Sequence, residues 1–212
     1  QGNGAAESTC GSPGEIAVGL LPYRTLGLEQ LRDDAGVCLW YVVSGGFKNN
    51  PKAASPMNWD TQGQLAISGA NGEALAAPND AYGGAAAIVI ATGMPVTGQS
   101  RSSTAGNNCG IVPSEVAQYL DGNYAFATTG TVTVTQGIAR DGNGVVTNND
   151  RLTWITPKDI FDKVLKRADF YNPTTASPVG QINKLSDEIR AVLEKRIQDD
   201  LVAGGTPSSS QP

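Results

Sequence analysis

The stretch AAAIVIATG, residues 85–93, decides which fold this chain can adopt. It is a continuous apolar run with β-branched residues at its centre and glycines on both sides. A short run of this kind predicts a strand that is buried on both of its faces. We therefore expect residues 85–93 to lie at the centre of a sheet.

Other strands are predicted on both sides of this central run. VCLWYVV (37–43) is rich in β-branched and aromatic residues, and QLAIS (64–68) alternates polar and apolar side chains. TVTVTQGIARDGNGVVTNNDRLTWIT (131–156) has alternating Thr and Val, then DGNG, then RLTWI. This order predicts a β-hairpin with a tight glycine turn.

Composition restricts the classes of function. The chain has 212 residues, 40% hydrophobic and 17% charged, with a net charge of −5 and no histidine. A Ser/His/Asp triad, a Cys/His pair and a histidine-ligated zinc site are excluded for this chain alone. No glycine-rich phosphate loop or nucleophile elbow is present in the sequence. We expect a non-enzymatic protein without a cofactor, and the lack of a basic run speaks against a nucleic-acid partner.

Three cysteines, Cys10, Cys38 and Cys109, lie far apart and never in CxxC spacing. This arrangement favours disulfides in an exported protein over metal binding. An odd number leaves one thiol without a partner in the chain.

A calcium loop is the alternative function for the predicted hairpin. Oxygen-bearing side chains follow each other at short spacing, but the third acidic position and the terminal glutamate of an EF-hand loop are missing. The candidate ligands are Asp141, Asn143, Thr147, Asn149 and Asp150.

The C-terminal part predicts helices. Thr156 is a candidate N-cap, Pro157 stands at the first helical position, and apolar residues recur through residue 171. A second amphipathic helix is expected over residues 180–202, packed either on its own domain or on a neighbouring subunit. Its apolar stripe contains Ile182, Leu185, Ile189, Leu193 and Ile197.

These patterns give four parts to the chain. Residues 1–19 are an extended lead-in, 20–155 a β-sheet domain, 156–203 a helical region and 204–212 a disordered tail.

Five segments of the sequence allow a family to be recognised. In chain order they are LLPYRTLGL (20–28), DDAG (33–36), CLWYVVS (38–44), QSRSS (99–103) and NDRLTWITPKDIF (149–161). They resemble the pattern of type IV pilin-like and pseudopilin-like proteins. Tyr23 stands where tryptophan is usual in that pattern, and Ala35-Gly36 lacks a tryptophan between them.

The resemblance implies an α+β fold, in which an antiparallel β-sheet globular domain with C-terminal helices packs on a long N-terminal helix. That helix is missing from this sequence, so it is either a removed segment or a separate chain of a two-chain pilin. The implied function is a structural subunit of an extracellular type IV pilus or a periplasmic pseudopilus. Its partners are then copies of itself and the helix, which alone meets the membrane.

Site residues also follow from the resemblance. Cys38 and Cys109 are additions to the family pattern, which implies that they form one disulfide, and Cys10 is then the candidate for a bond to the missing segment or partner. An apolar groove for the helix is expected at the sheet, with Leu20, Leu21, Leu26 and Leu28 near its edge. The stripe from Ile182 to Ile197 becomes a subunit contact.

The alternative function is a secreted carbohydrate- or ligand-binding β-domain that uses tryptophans. Trp40 and Trp154 are predicted in strands and favour core positions, whereas Trp59 lies in a polar loop where it can meet a partner.

Overall fold

The computed structural model describes residues 4–54, 57–80, 83–101, 109, 116–122, 125–165 and 189–195. The chain forms two compact units, residues 1–160 and residues 161–212. The strands all belong to the first unit.

A four-stranded antiparallel sheet contains the apolar run of residues 85–93. Its strands are β1 (Ala17–Leu20), β2 (Trp40–Val43), β5 (Ala87–Ala91) and β9 (Arg151–Ile155). Their order is β1-β2-β5-β9, so β5 is an inner strand as predicted. The strand β1 begins inside the predicted lead-in and forms one edge of the sheet.

A second sheet has three strands, β3 (Leu65–Gly69), β4 (Ala74–Ala76) and β6 (Val132–Gln136), in the order β4-β3-β6. β3 is antiparallel to β4 and parallel to β6. A two-stranded ribbon of β7 (Ala139–Arg140) and β8 (Val146–Asn148) carries the DGNG turn.

The predicted hairpin is therefore only partly correct. The glycine turn is present, but it joins β7 and β8 rather than the longer flanking strands. β6 pairs with β3 and β9 pairs with β5, in two different sheets. The physical reason is that the flanking strands find better apolar partners far away in sequence, which a local turn signal does not show.

The two larger sheets share one hydrophobic core. Cross-strand neighbours on the inner face of the four-stranded sheet form two rows, Leu20-Trp40-Ile90-Leu152 and Val18-Val42-Ile88-Trp154. The second sheet contributes Leu65, Ile67, Ala76 and Val134 to the same cluster. Trp40 is fully buried with its ring 5.6 Å from that of Tyr119, and Trp154 is partly buried against the core.

The expected α+β pilin fold with C-terminal helices is not supported. The described residues form mainly strands in three sheets, with two short α-helical stretches, α1 (Pro157–Leu165) and residues 189–195. Two single-turn 3-10 helices, Gly45–Phe47 and Val116–Gln118, lie in the connections. Apolar periodicity and caps were sufficient to predict helices, but a helix of this length gains most of its stability from tertiary packing, which periodicity does not reveal. None of the helices in the described part of the chain is long and apolar enough to cross a membrane.

The start of α1 does follow the sequence signal. The Asp159 amide donates to Thr156 Oγ1 at 3.2 Å, and Asp159 Oδ2 accepts from the Thr156 amide at 2.9 Å. This reciprocal pair is a capping box with aspartate in place of glutamate.

Candidate functional site

The outer face of the four-stranded sheet is apolar as well. Residues that lie opposite each other on neighbouring strands point to the same side of a sheet. The register gives two outer rows, Gly19-Tyr41-Val89-Thr153 and Ala17-Val43-Ala87-Ile155. We call these eight residues the outer face.

The outer face is only partly removed from water. At the β1 edge, Ala17 and Gly19 are buried. Tyr41, Val43 and Val89 are half-buried, and Ile155 is 47% exposed. Most protein surface is mixed, and a contiguous apolar patch on a soluble domain marks an interaction site. The outer face is therefore the first candidate for a functional surface.

A groove of about 340 Å³ lies at the β1 end of the outer face. It is bordered by the segment that contains Glu7 and Cys10, and by Tyr41 and Phe126. Burial raises the pKa of the Tyr41 phenol, and the neighbouring Cys10 and Glu7 raise it further. The groove extends the apolar surface of the sheet toward a free thiol.

Cys10 is half-buried and makes no disulfide. The buried Lys48 fixes its backbone, since Lys48 Nζ donates to the Cys10 carbonyl at 2.5 Å and to the Ser12 carbonyl at 2.8 Å. Cys10 is therefore held beside the groove by its main chain.

Cys38 and Cys109 form a disulfide in the structure, with 5.3 Å between their Cα atoms. Both residues are buried in the core cluster. Cys38 ends a turn in which the Val37 amide donates to Asp33 Oδ1 at 2.7 Å. The bond thus ties residue 109 to the entrance of β2.

The four leucines expected beside the groove divide into two pairs. Leu20 and Leu21 are buried, and Leu20 lies in an inner row rather than on the outer face. Leu26 and Leu28 are exposed in the following loop. The register, which the sequence alone does not give, places different residues on the outer face.

A second candidate site is a buried polar cluster around Arg101. Its guanidinium donates to the Gly93 carbonyl at 2.5 Å, the Gln118 carbonyl at 2.8 Å and the Tyr119 carbonyl at 3.0 Å. Its carbon Cζ lies 5.3 Å from the centre of the Tyr119 ring. Arg101 therefore binds the end of β5 to residues 118–119.

Two buried aspartates complete the polar cluster. Asp121 Oδ1 accepts from Gln99 at 2.9 Å and Asp121 Oδ2 accepts from the Asn149 amide at 2.6 Å. Asp150 Oδ2 accepts from the Asp121 amide at 2.9 Å. The other carboxyl oxygen of Asp150 is buried without a hydrogen-bond partner.

Burial raises the pKa of both carboxyl groups. For Asp150 the pKa rises from 3.8 to about 8, first through burial and then through the neighbouring Asp121. The pKa of Asp121 is also raised by burial, while hydrogen bonds from Asn149 and Gln99 and the charge of Arg101 oppose the rise.

The candidate calcium ligands do not come together. Asp141 and Asn143 lie in the β7–β8 turn, where Asp141 Oδ1 accepts from the Asn143 and Val145 amides at 2.9 Å. Asn149 and Asp150 follow β8 at the opposite end of the ribbon, where Ala139 pairs with Asn148. Within the described residues, no group of three or more histidine, cysteine, aspartate or glutamate side chains is placed to hold a metal ion.

The predicted subunit stripe is described only in part. Ile189 and Leu193 lie in the helical residues 189–195 and are 53% and 55% exposed. Ile182, Leu185 and Ile197 lie outside the described residues. Of the three tryptophans, Trp59 is 80% exposed, in the loop where the sequence placed it.

Comparison with known proteins gives no assignment for this chain. No protein-family model matches it. Neither the curated proteins nor the solved structures contain a match.

The sequence alone predicts neither candidate site as a whole, although it offers Asn149 and Asp150 as calcium ligands and Cys10 as a thiol for a bond to a partner. The one sequence signal for the outer face is the apolar character of residues 85–93 at successive positions, which predicts a buried strand but not which side stays open. Arg101 and Asp150 lie in QSRSS and NDRLTWITPKDIF, which resemble the pilin pattern, but nothing local in the sequence joins them to Asp121.

Proposed function

We propose that this chain is a non-catalytic structural subunit of a type IV pilus-like or pseudopilus-like filament outside the cytoplasm. In the proposal, its outer face packs against an apolar helix, supplied by a removed segment or by a partner chain. The segments that resemble this family suggest the class, and the outer face is the observation that carries it.

The argument from the outer face concerns its central strand. β5 directs Ile88 and Ile90 into the core, and it directs Ala87 and Val89 outward into rows with Val43 and Tyr41. A strand that is apolar on both sides belongs in a sheet that is covered on both sides. A helix laid across the two rows supplies such a cover, because an apolar helical stripe matches a flat apolar sheet face.

The C-terminal stripe supports subunit contacts in the same proposal. Ile189 and Leu193 stand four residues apart, and the Arg190 and Glu194 side chains approach to 3.8 Å beside them. In the proposal, this exposed apolar pair is the described part of the stripe that packs on a neighbouring subunit. A filament needs such heterologous contacts, since they repeat without closing into a ring.

The test is assembly with a helical partner. We expect a peptide with an apolar helical stripe to raise the Tm of the wild-type chain and to promote filaments visible by electron microscopy. Val89→Lys places a charge in the middle of the outer face and is expected to abolish both effects. Val145→Lys, on the exposed β7–β8 turn, is the matched control and should behave as wild type.

A chain that stays monomeric with the helical peptide, with no change in Tm, contradicts the proposed function. Equal responses of the Val89→Lys and Val145→Lys variants contradict the role of the outer face. Deletion of residues 179–212 tests the C-terminal stripe, because a folded domain that no longer polymerises supports the subunit contact.

Carbohydrate binding is the second candidate, favoured by one observation. The Trp59 ring is 80% exposed, and exposed indole rings stack well on sugar rings. Titration of the chain with glycans, followed by tryptophan fluorescence, compares the wild type with Trp59→Ala. A saturable change that the variant loses favours this second function.

A further inference from the structure

The strongest remaining feature is the contact between residues 118–122 and the β8–β9 corner. The Asp121 amide donates to Asp150 Oδ2 at 2.9 Å, and Asp121 Oδ2 accepts from the Asn149 amide at 2.6 Å. Each segment thus supplies one amide and one carboxyl group. These two reciprocal hydrogen bonds join residues 118–122 to the β8–β9 corner. The charge on the two carboxyl groups therefore affects this contact directly.

The charges around this joint do not balance when both carboxyl groups are ionised. Asp121 and Asp150 are 1% and 0% exposed. The hydrogen bonds of Arg101 in the described structure go to carbonyl groups and to the side chains of Gln99 and Thr92 rather than to either aspartate. One guanidinium therefore acts on two buried carboxylates without a direct ion pair. Buried carboxylates in this situation take up a proton rather than remain charged.

Asp150 is the group that holds the proton. Its oxygen Oδ1 is fully buried and accepts no hydrogen bond, so no hydrogen bond stabilises a negative charge on that atom. Asp121, in contrast, accepts bonds at both oxygens, from Gln99 and from the Asn149 amide. The pair titrates as a unit, with the neutral form residing mainly on Asp150.

We propose that Asp121 and Asp150 form a one-proton switch that closes this corner when a single proton is bound and loosens it when the proton is lost. The switch exists whether or not the chain forms a filament. It makes the attachment of residues 118–122 to β9 sensitive to mildly alkaline conditions.

Four other charged or titratable groups lie near the switch: Arg101, Asp33, Tyr119 and Arg151. Arg101 favours ionisation of both aspartates, and Asp33 and Tyr119 act on Arg101. Burial lowers the pKa of Arg101, whereas Asp121, Asp150 and Asp33 raise it. Arg151 follows Asp150 in the chain and is exposed. Among these groups Asp150 is the one whose pKa moves to about 8, near neutrality.

The sign of the pH effect follows from this shift. An unfolded aspartate loses its proton near its ordinary value of 3.8, whereas folded Asp150 keeps it up to about 8. Between these values the folded state binds one proton more than the unfolded state, so stability falls as pH rises. Above about pH 8 this contribution no longer changes.

The experiment measures Tm against pH for the wild type, Asp150→Asn and Asp60→Asn. Asparagine mimics the neutral carboxyl group, and Asp60 is an exposed loop aspartate that serves as control. From about pH 6 to about pH 8 we expect the Tm of the wild type and of Asp60→Asn to fall by roughly 5–10 °C. Asp150→Asn should lose most of this fall.

Carbon-13 NMR of the Asp150 carboxyl group gives a second readout that a purely structural residue does not provide. A titration midpoint near 8 supports the switch, whereas a midpoint near 3.8 overturns it, even when Asp150→Asn fails to fold. Equal pH dependence in the wild type and in Asp150→Asn also overturns it. If millimolar Ca²⁺ raises the Tm of the wild type but not that of Asp150→Asn, the corner binds a metal ion and the proton switch is wrong.

Discussion

Removal of the Cys38–Cys109 disulfide should destabilise the β-sheet unit strongly. The two cysteines are 71 residues apart in sequence, so the bond restricts a long loop in the unfolded chain. In the chain-entropy treatment a loop of this length corresponds to about 4 kcal/mol of stability. Proteins of this kind have a total stability of only about 5–15 kcal/mol, so the loss is a large fraction of the whole.

The double variant Cys38→Ala/Cys109→Ala isolates this effect. Both residues are buried, so alanine avoids leaving a polar group in the core. Urea denaturation under oxidising conditions should show a lower free energy of unfolding by about 4 kcal/mol, and the wild type with a reductant should approach the same value. Cys10→Ser is the control, because Cys10 lies outside the disulfide.

Two results would refute this reasoning. A loss below about 1 kcal/mol in the double variant would mean that the bond does not restrict the unfolded chain as the loop length requires. Peptide mapping without reductant that joins Cys10 to either partner would mean that the observed pairing is not the pairing in solution.

Two further predictions concern packing. Arg101→Lys should lower the free energy of unfolding, measured in urea, by about 2–4 kcal/mol, because lysine cannot reproduce the forked hydrogen bonds of the guanidinium. Arg140→Lys on the exposed ribbon is the control and should change the free energy of unfolding by less than about 0.5 kcal/mol. Gly45→Ala should cost several kcal/mol, on the order of 3, because its Cβ would lie 1.9 Å from the Gly14 carbonyl oxygen. Gly142→Ala has open space around the new Cβ and should melt within a few degrees of wild type, so equal melting of the two alanine variants contradicts the close approach.

The strands that carry their own apolar pattern could be predicted from sequence. Residues 85–93 contain β5, an inner strand of its sheet, and VCLWYVV contains β2 beside it. These segments are rich in β-branched residues, and such runs predict a strand wherever they pair. The identity of these two strands is therefore visible in their local sequence, whereas β1 lies in a segment without such a pattern.

Strand pairing could not be predicted in the same way. TVTVTQ lies close to RLTWI in sequence, yet β6 runs parallel to β3, which is more than sixty residues earlier. A parallel pair needs a long connection, and no short turn signal announces it. The same long-range pairing decides which residues form the outer face. The four leucines that the sequence predicts beside a groove, Leu20, Leu21, Leu26 and Leu28, therefore do not lie on that face.

The buried polar cluster could not be predicted for a different reason. Arg101, Asp121 and Asp150 are separated by twenty or more residues. Arg101 and Asp121 read as ordinary charged residues, and Asp150 reads as a candidate calcium ligand of the hairpin. Only the fold brings them together and removes them from water. Their chemistry is a property of burial, which composition and spacing do not report.

The strand β9 connects the proton switch to the outer face. Asp150 directly precedes β9, and the Gly137 amide donates to the Asp150 carbonyl at 2.8 Å, so this corner fixes where the strand begins. Thr153, two positions after the first residue of β9, lies opposite Val89 on the outer face, and Ile155 lies opposite Ala87. A corner that loosens when Asp150 ionises therefore frees the start of an edge strand, which in the described structure pairs with β5 and is bonded to Gln136 of β6 through the Leu152 amide. Any helix bound to the two outer rows would lose part of its support at the same pH, because one of the four residues in each row lies on β9.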